Sequence, residues 1–365
     1  MAAQLPDDFK CPISLEIMAD PVILSSGHTF DRSSIQRWLD SGHRTCPITK
    51  FQLPEPPSLI PNHALRSLIS NYTQLSPPKA AATHHQETQA LVYSLTSPSS
   101  SAGTKLQSLS QLNKLLKSNP GFRRKLTESG AVSAVLRCVD SDDPGLQEKA
   151  LSLLLNLSLD DDNKVGLVAE GAIGRIVAAL RGGSPDCHAV AATVLTSLAV
   201  VEVNKATIGS YPDAIAALVT LLRDGRGRER KEAATALYTI CTFPENRRRA
   251  VHSGAVPILI RIADLGLERA VELLALLAKC REGRQEMVKY DAILEILVSI
   301  LKKGNSRGIQ YALSTLNSLC SWSDRMCSDA KNDGVFEICM GFLEDDNQKI
   351  SSFASSLIQV LKGKQ

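Results

Sequence analysis

Five side chains in the first 75 residues have the chemistry of metal ligands: Cys11, Cys46, His28, His43 and His63. A cross-braced module built on two zinc ions needs about eight such ligands, four per ion. The spacing fails as well. A metal knuckle places its second thiolate three residues after the first, and here Ser14 and Thr49 stand at those positions. A hydroxyl is a poor zinc ligand beside a thiolate. We therefore expect no metal and no other cofactor. The other chemistry open to Cys11 or Cys46 is nucleophilic attack, which requires a cation or a helix N-terminus to lower the thiol pKa. Lys10 neighbours Cys11 and Arg44 is near Cys46, but neither thiol has a visible general base. No residue is expected to serve as a covalent catalytic group.

Without metal, the segment must be held by packing and hydrogen bonds. Val22-Ile23-Leu24 reads as a short strand, Ser25-Ser26-Gly27 as a turn and His28-Thr29-Phe30 as the returning strand of a hairpin. Asp31 is a good N-cap for the helix whose apolar face is Ile35, Trp38 and Leu39, and Gly42 ends it. A second helix opens at Asn62, with a stripe through Leu65, Leu68, Ile69 and Tyr72. Two loops, Cys11–Leu15 and Cys46–Lys50, each hold a Cys-Pro dipeptide followed by isoleucine. Proline fixes φ and lowers the entropy lost when such a loop docks.

Several motifs in order, Cys11-Pro-Ile-Ser-Leu-Glu-Ile-Met, Asp20-Pro-Val, Ser26-Gly-His-Thr-Phe-Asp-Arg, Ile35-Gln-Arg-Trp-Leu, Thr45-Cys-Pro-Ile-Thr and Leu59-Ile-Pro-Asn-His-Ala-Leu-Arg, resemble the U-box over residues 5–75. U-boxes are metal-free relatives of RING domains that recruit a ubiquitin-charged conjugating enzyme. The resemblance implies a shallow apolar groove formed by the two loops and the first helix. Ile13 and Leu15 fall at its first-loop contact positions, Trp38 on the groove side of the helix and Pro47 at the second-loop contact. Lys50 falls where family members often carry a cation that touches the conjugating enzyme and ubiquitin. A lysine there is a point charge, without the bidentate geometry of arginine. Plain core packing is the alternative reading for Trp38 and Leu15.

Composition sets the wider frame. The 365 residues suggest two domains, or one domain with a repeat array. The 41 basic and 38 acidic residues give a net charge of only +3, which argues against bulk nucleic acid as partner. The nine cysteines are scattered and odd in number, the pattern of reduced thiols packed as small hydrophobes. With no basic N-terminal region and no apolar run of about 18 residues, we expect neither a secretory leader nor a membrane span, and a cytoplasmic or nuclear location.

Residues 76–105 are rich in Pro, Ser and Ala and read as a flexible linker, with a helical turn or two over Gln89–Leu95. Beyond them a small-residue turn recurs before an apolar run. Its second positions are 130, 171, 213, 254, 291 and 334, spaced by 41, 42, 41, 37 and 43 residues. A second marker, Asn163, Asn204, Asn246, Gly283 and Asp324, keeps the same beat. Two markers in phase predict about six helical repeats over 106–362, with an irregularity in the 37-residue unit. The stretch Glu148-Lys-Ala-Leu-Ser-Leu-Leu-Leu-Asn-Leu-Ser, with Asn163-Lys and Glu170-Gly-Ala-Ile behind it, resembles armadillo repeats.

Armadillo third helices line a groove for extended peptides, which makes Asn156, Ser197, Thr239 and Asn317 candidates for holding a protein target, with Leu276 at the intervening position. Nuclear-import receptors carry an asparagine ladder there, and only two of these five positions are Asn. The basic runs at Arg223–Lys231 and Arg247–Arg249 would attract an acidic or phosphorylated partner or simply keep a loop and a helix end solvated. The expectation is a small α+β, metal-free, RING-like U-box followed by an all-α armadillo solenoid. Its implied activity is that of a ubiquitin-protein ligase without a covalent intermediate; a non-catalytic adaptor is the alternative.

Overall fold

The computed structural model describes residues 7–54, 57–75, 79–119 and 121–363. Contacts divide the chain into two units, Met1–Gln89 and Ala90–Gln365.

In the first unit three short strands, β1 (Pro21–Ile23), β2 (Thr29–Asp31) and β3 (Ile60–Pro61), form an antiparallel sheet of order β2-β1-β3, with Val22 opposite both Phe30 and Pro61. Helix α1 (Arg32–Asp40) starts where Asp31 caps it. One Asp31 oxygen accepts from Ser33 N at 3.1 Å, and the other accepts from Ala19 N and Asp20 N. The helix stops at Ser41, followed by Gly42 at φ +90°. Helix α2 (His63–Leu75) starts at Asn62, whose side-chain oxygen accepts from Leu65 N and whose amide donates to Thr29 Oγ1. Ile35, Leu39, Phe30, Val22 and Ile69 fill the core. Leu68, expected on the same stripe, is exposed; the Tyr72 side chain lies outside the described residues.

Where composition suggests a flexible linker, the chain is helical in α3 (Lys79–Thr96) and again in α4 (Ala102–Ser118). Leu95 is buried in the second unit's core, with Leu91 and Val92 against it, so the apolar spacing within 89–95 outweighs the Pro/Ser-rich flanks. Six three-helix units follow. Their first helices are α5 (Phe122–Glu128), α8 (Asp161–Ala169), α11 (Glu202–Ser210), α14 (Pro244–His252), α17 (Arg281–Met287) and α20 (Asp324–Asn332). Their second helices are α6 (Ala131–Val139), α9 (Ala172–Gly182), α12 (Ala214–Asp224), α15 (Ala255–Asp264), α18 (Ala292–Lys303) and α21 (Val335–Gly341). Their third helices, α7 (Pro144–Leu157), α10 (Pro185–Leu198), α13 (Arg228–Cys241), α16 (Glu268–Leu277), α19 (Ser306–Trp322) and α22 (Gln348–Gly363), stack in series behind α4.

Both repeat markers have a backbone reason. Gly130, Gly171, Asp213, Gly254 and Gly334 all sit at the N-cap of a second helix in the left-handed conformation, φ +62° to +83°. Glycine adopts that conformation without strain and Asp is among the few residues that tolerate it. At Asp291 the same place is right-handed. The second marker is a buried side-chain clamp. Asn163, Asn204 and Asn246 each donate to a carbonyl six residues back, at the end of the preceding third helix: Leu157, Leu198 and Ile240, at 3.0–3.1 Å. The Asn204 and Asn246 amides also reach one repeat back, to Lys164 O and Lys205 O. The carbonyls six residues back lie at a helix end, where intrahelical donors run out. At Gly283 there is no room for the clamp, since a Cβ there would lie 2.1 Å from Leu277 O.

The shortened repeat has lost its residues from the third helix. Helix α16 has 10 residues where α7, α10 and α13 have 14. Beside this shorter helix the hydroxyls of Tyr238, from α13, and Tyr311, from α19, meet at 3.4 Å. Side chains of third helices two repeats apart thus meet. Among the described residues no helix is long and apolar enough to cross a membrane.

Candidate functional site

The two Cys-Pro loops are built alike. Cys11 N donates to Glu16 O at 2.7 Å and Leu15 N to Cys11 O at 2.8 Å; in the other loop Cys46 N donates to Phe51 O at 2.8 Å and Lys50 N to Cys46 O at 2.9 Å. Leu15 and Lys50 occupy equivalent places and both have positive φ, +58° and +60°. A left-handed non-glycine residue costs roughly 1–2 kcal/mol.

Both thiols point inward and are bonded by protein donors. Ser26 Oγ donates to Cys46 Sγ at 3.2 Å and Asp31 N to Cys11 Sγ at 3.3 Å. Burial pushes the Cys46 pKa up, but the Ser26 and Thr49 hydroxyls and the Thr49 and Ile48 amides outweigh it and bring the thiol down to about 7. For Cys11 burial is likewise outweighed, by the amides of Ser14, Asp31 and Ile13 and the Ser14 hydroxyl, and the pKa is lowered. Ser14 and Thr49, poor as metal ligands, thus serve as hydrogen-bond partners of the thiols three residues before them. Both sulfur atoms belong to residues with no exposed surface, so neither can reach an external thioester. His28 Nδ1 lies 3.1 Å from Ser26 O and shapes the turn. Among the described residues no group of three or more His, Cys, Asp or Glu side chains converges as a metal site would require.

Helix α1 and the first loop enclose a shallow cleft of about 410 Å³, lined by Ile13, Ser14, Ser34, Arg37, Trp38 and Ser41. Ile13 and Trp38 are thereby brought together. Trp38 packs on the core along one edge, its Nε1 donates to Thr45 O at 2.9 Å, and His43 stacks on its ring at 3.8 Å. Lys50 Nζ stands 5.9 Å from the same ring and donates to Pro47 O at 3.0 Å. Trp38, Pro47 and Lys50 therefore form one connected surface. Leu15 is 74% exposed and does not line the cleft; it stands on the loop tip, as Phe51, 73% exposed, does on the other loop. Sequence reading did not place Phe51, Ile48 or His43 on this surface. The duplicated Cys-Pro-Ile pattern pairs Ile48 with Ile13, whereas the His43 stack depends on tertiary structure alone.

On the third helices, two of the four candidate groove positions, Ser197 and Asn317, bond between repeats, and Asn156 bonds within its own. Asn156 is buried and accepts from Arg123 Nε at 3.1 Å, Ser197 and Ser158 bond one another, and Asn317 donates to Ser356 Oγ at 2.8 Å. Thr239 donates to Thr235 O within its own helix. The Asn156 side-chain amide nitrogen is buried without a partner among the described residues. Much of the basic runs is used internally. Arg223 pairs with Asp224, Arg230 donates to Leu222 O, and Arg247 caps α13 at Cys241 O and Thr242 O. Cys241 and Cys339 are pushed up to about 12 by burial, as befits thiols packed as small hydrophobes.

A polar cluster absent from the sequence reading lies at the shortened repeat. The Glu272 side chain, 5% exposed, bonds Arg269 through one oxygen and Arg307 Nε, at 2.7 Å, through the other. The Arg269 guanidinium lies 5.1 Å over the Tyr238 ring. The Tyr311 hydroxyl, together with burial, pushes the Tyr238 pKa up to about 12.

Comparison with known proteins gives this geometry its context. A family profile described as the U-box domain matches residues 5–76, and one described as the plant U-box protein ARM repeat region matches residues 89–330. The sequence is 62% identical to U-box domain-containing protein 8 of Arabidopsis thaliana, over 100% of this chain and 99% of that protein. It is 28% identical to a second Arabidopsis thaliana protein named E3 ubiquitin-protein ligase PUB23, over 85% of this chain and 82% of that one. Other U-box relatives are longer, and the chain spans 46% to 55% of their length. The crystal structure of an engineered protein superposes on 75% of this chain and 68% of its own with a TM-score of 0.65 at 21% identity, a likeness of fold. The chain belongs to the plant U-box proteins that carry an ARM repeat region.

Proposed function

We propose that this protein is a ubiquitin-protein ligase of the scaffold type. Ile13, Leu15, Trp38, Pro47 and Lys50 bind a ubiquitin-charged conjugating enzyme, and the third-helix face of the repeats holds a protein target whose lysine receives ubiquitin. The observation that carries this reading is the cleft between Ile13 and Trp38, flanked by two strained loops that present Leu15 and Lys50. Glycine would relax both positions, so a bulky or charged side chain kept there against roughly 1–2 kcal/mol of strain points to a demand outside the fold. The burial of Cys11 and Cys46 favours transfer straight from the conjugating enzyme. The ligase would contribute proximity and orientation, which supply several kcal/mol of a barrier without any nucleophile. The relative named as a ubiquitin-protein ligase supports the same reading.

A reconstituted reaction with a broad panel of conjugating enzymes tests it. Wild type should build ubiquitin chains, and Ile13→Ala, Trp38→Ala and Pro47→Ala should each lose most of that activity with the circular dichroism spectrum unchanged. Absence of chains with every enzyme of the panel would leave only an adaptor role; full activity in all three variants would remove the cleft from the mechanism.

A further inference from the structure

We propose that the third-helix face carries an anion-binding subsite at the shortened repeat, formed by Arg269, Arg307, Tyr238 and Tyr311 around the buried carboxylate of Glu272, which receives an anionic side chain of the target peptide. The inference rests on the proposed role of that face in holding the target.

The site lies at the short helix α16, which packs between α13 and α19. Tyr238 of α13 and Tyr311 of α19 meet beside it with hydroxyls 3.4 Å apart. Glu272 lies beneath them, 5% exposed, and uses its two oxygens on two different arginines. A buried carboxylate that fixes two guanidinium groups is a positioning device: it orients the cations before any ligand arrives, which lowers the ordering cost of binding. Arg269 is further fixed by its stack on Tyr238. The arginines are not sealed with their partner. Arg307 is 58% and Arg269 30% exposed, and a guanidinium has five donors in a planar fork suited to carboxylate or phosphoryl oxygens. Two cations around one carboxylate leave a net positive site flanked by two aromatic hydroxyls. The other arginines of this face's neighbourhood differ: Arg247 and Arg284 donate to the last carbonyls of α13 and of the α16 end.

Binding of short peptide pools to the full-length protein tests the assignment. The pools are degenerate except for a central phosphoserine, aspartate or serine, and affinity is read by fluorescence anisotropy. An anionic pool should bind about tenfold more tightly than the serine pool, the scale of one charge-assisted hydrogen bond. A gain confined to phosphoserine identifies a phosphoryl group as the ligand, and a gain with aspartate as well identifies any carboxylate; either supports the subsite. Arg307→Gln, which leaves Glu272 paired with Arg269, should abolish the preference. A second variant, Arg269→Gln with Glu272→Gln, removes both charges together so that no buried carboxylate is stranded, and should do the same. Equal binding of all three pools to wild type overturns the proposal, as does a preference that survives in both variants. Chain formation is followed in the same preparations. Wild type that discriminates among the pools but builds no chains leaves the subsite standing and removes the ligase reading; wild type that builds chains without discriminating does the reverse.

Discussion

Helix α11 passes so close to the Asn246 clamp that only glycine fits at position 209, and this makes the repeat interface testable by a double-mutant cycle. A Cβ on residue 209 would lie 1.8 Å from Asn246 Oδ1 and 2.4 Å from its Nδ2. Asn246 cannot swing away cheaply. It is fully buried, donates to Ile240 O at 3.0 Å and Lys205 O at 2.8 Å, and accepts from Arg249 at 2.8 Å. Gly209→Ala would therefore break two buried bonds, at about 0.5–1.5 kcal/mol each, and strand the displaced amide at a further cost of roughly 1–3 kcal/mol. Against that stands about 1 kcal/mol gained by replacing glycine within a helix. The expected net loss is about 1–5 kcal/mol. In an Asn246→Ala background the obstacle is gone, and the same Gly209→Ala change should be neutral or stabilise by up to about 1 kcal/mol. Urea unfolding of the four proteins, followed by far-ultraviolet circular dichroism, gives the coupling directly. Equal destabilisation by Gly209→Ala in both backgrounds would refute the account of the clamp.

Three further outcomes follow from the same geometry. Gly171→Ala meets no atom within 4 Å but keeps φ +83°, so it should cost roughly 1–2 kcal/mol from the backbone alone, measured by the same unfolding experiment. Leu15→Gly should leave the stability of the U-box unit unchanged or raise it by up to about 1 kcal/mol as strain at φ +58° is relieved, yet lose chain formation; a variant that keeps full activity would detach the loop tip from recruitment. For Cys46 the folded pKa of about 7 lies below the ordinary thiol value of 9.0, so the thiolate stabilises the fold. That contribution is complete above pH 9 and is lost as pH falls through about 7. Wild type should gain more stability than Cys46→Ala between pH 6 and 9, and thiolate absorbance at Cys46 should titrate near pH 7; parallel pH profiles for the two proteins would rule this out.

The parts legible in the sequence are those whose cause is local. Asp31 and Asn62 cap helices because their own side chains reach the next turn, and the repeat was readable because its markers are a backbone conformation and a clamp six residues long. What escaped depends on distant partners. Strand β3 is two residues, one of them proline, and exists only because β1 offers an edge. Leu68 has helical spacing from Leu65 yet is exposed. The Tyr238–Arg269–Glu272 cluster has no motif because its members come from separate third helices and meet only when these stack.

Burial separates the polar groups that hold the repeats together from those offered to a partner. Asn163, Asn204 and Asn246 are 5%, 1% and 0% exposed, and their amides bond carbonyls of the same array. Replacing them changes stability before anything else, because a buried carbonyl loses its donor. Glu272 is as deeply buried, yet both its partners are arginines that reach solvent. A buried ion pair is a weak source of stability once desolvation is counted, so stability alone does not account for a carboxylate placed beneath two partly exposed cations. The U-box unit draws the same distinction. Cys11 and Cys46 spend their bonding on internal donors and vanish from the surface, while Leu15 is held outward, 74% exposed, at a cost in strain.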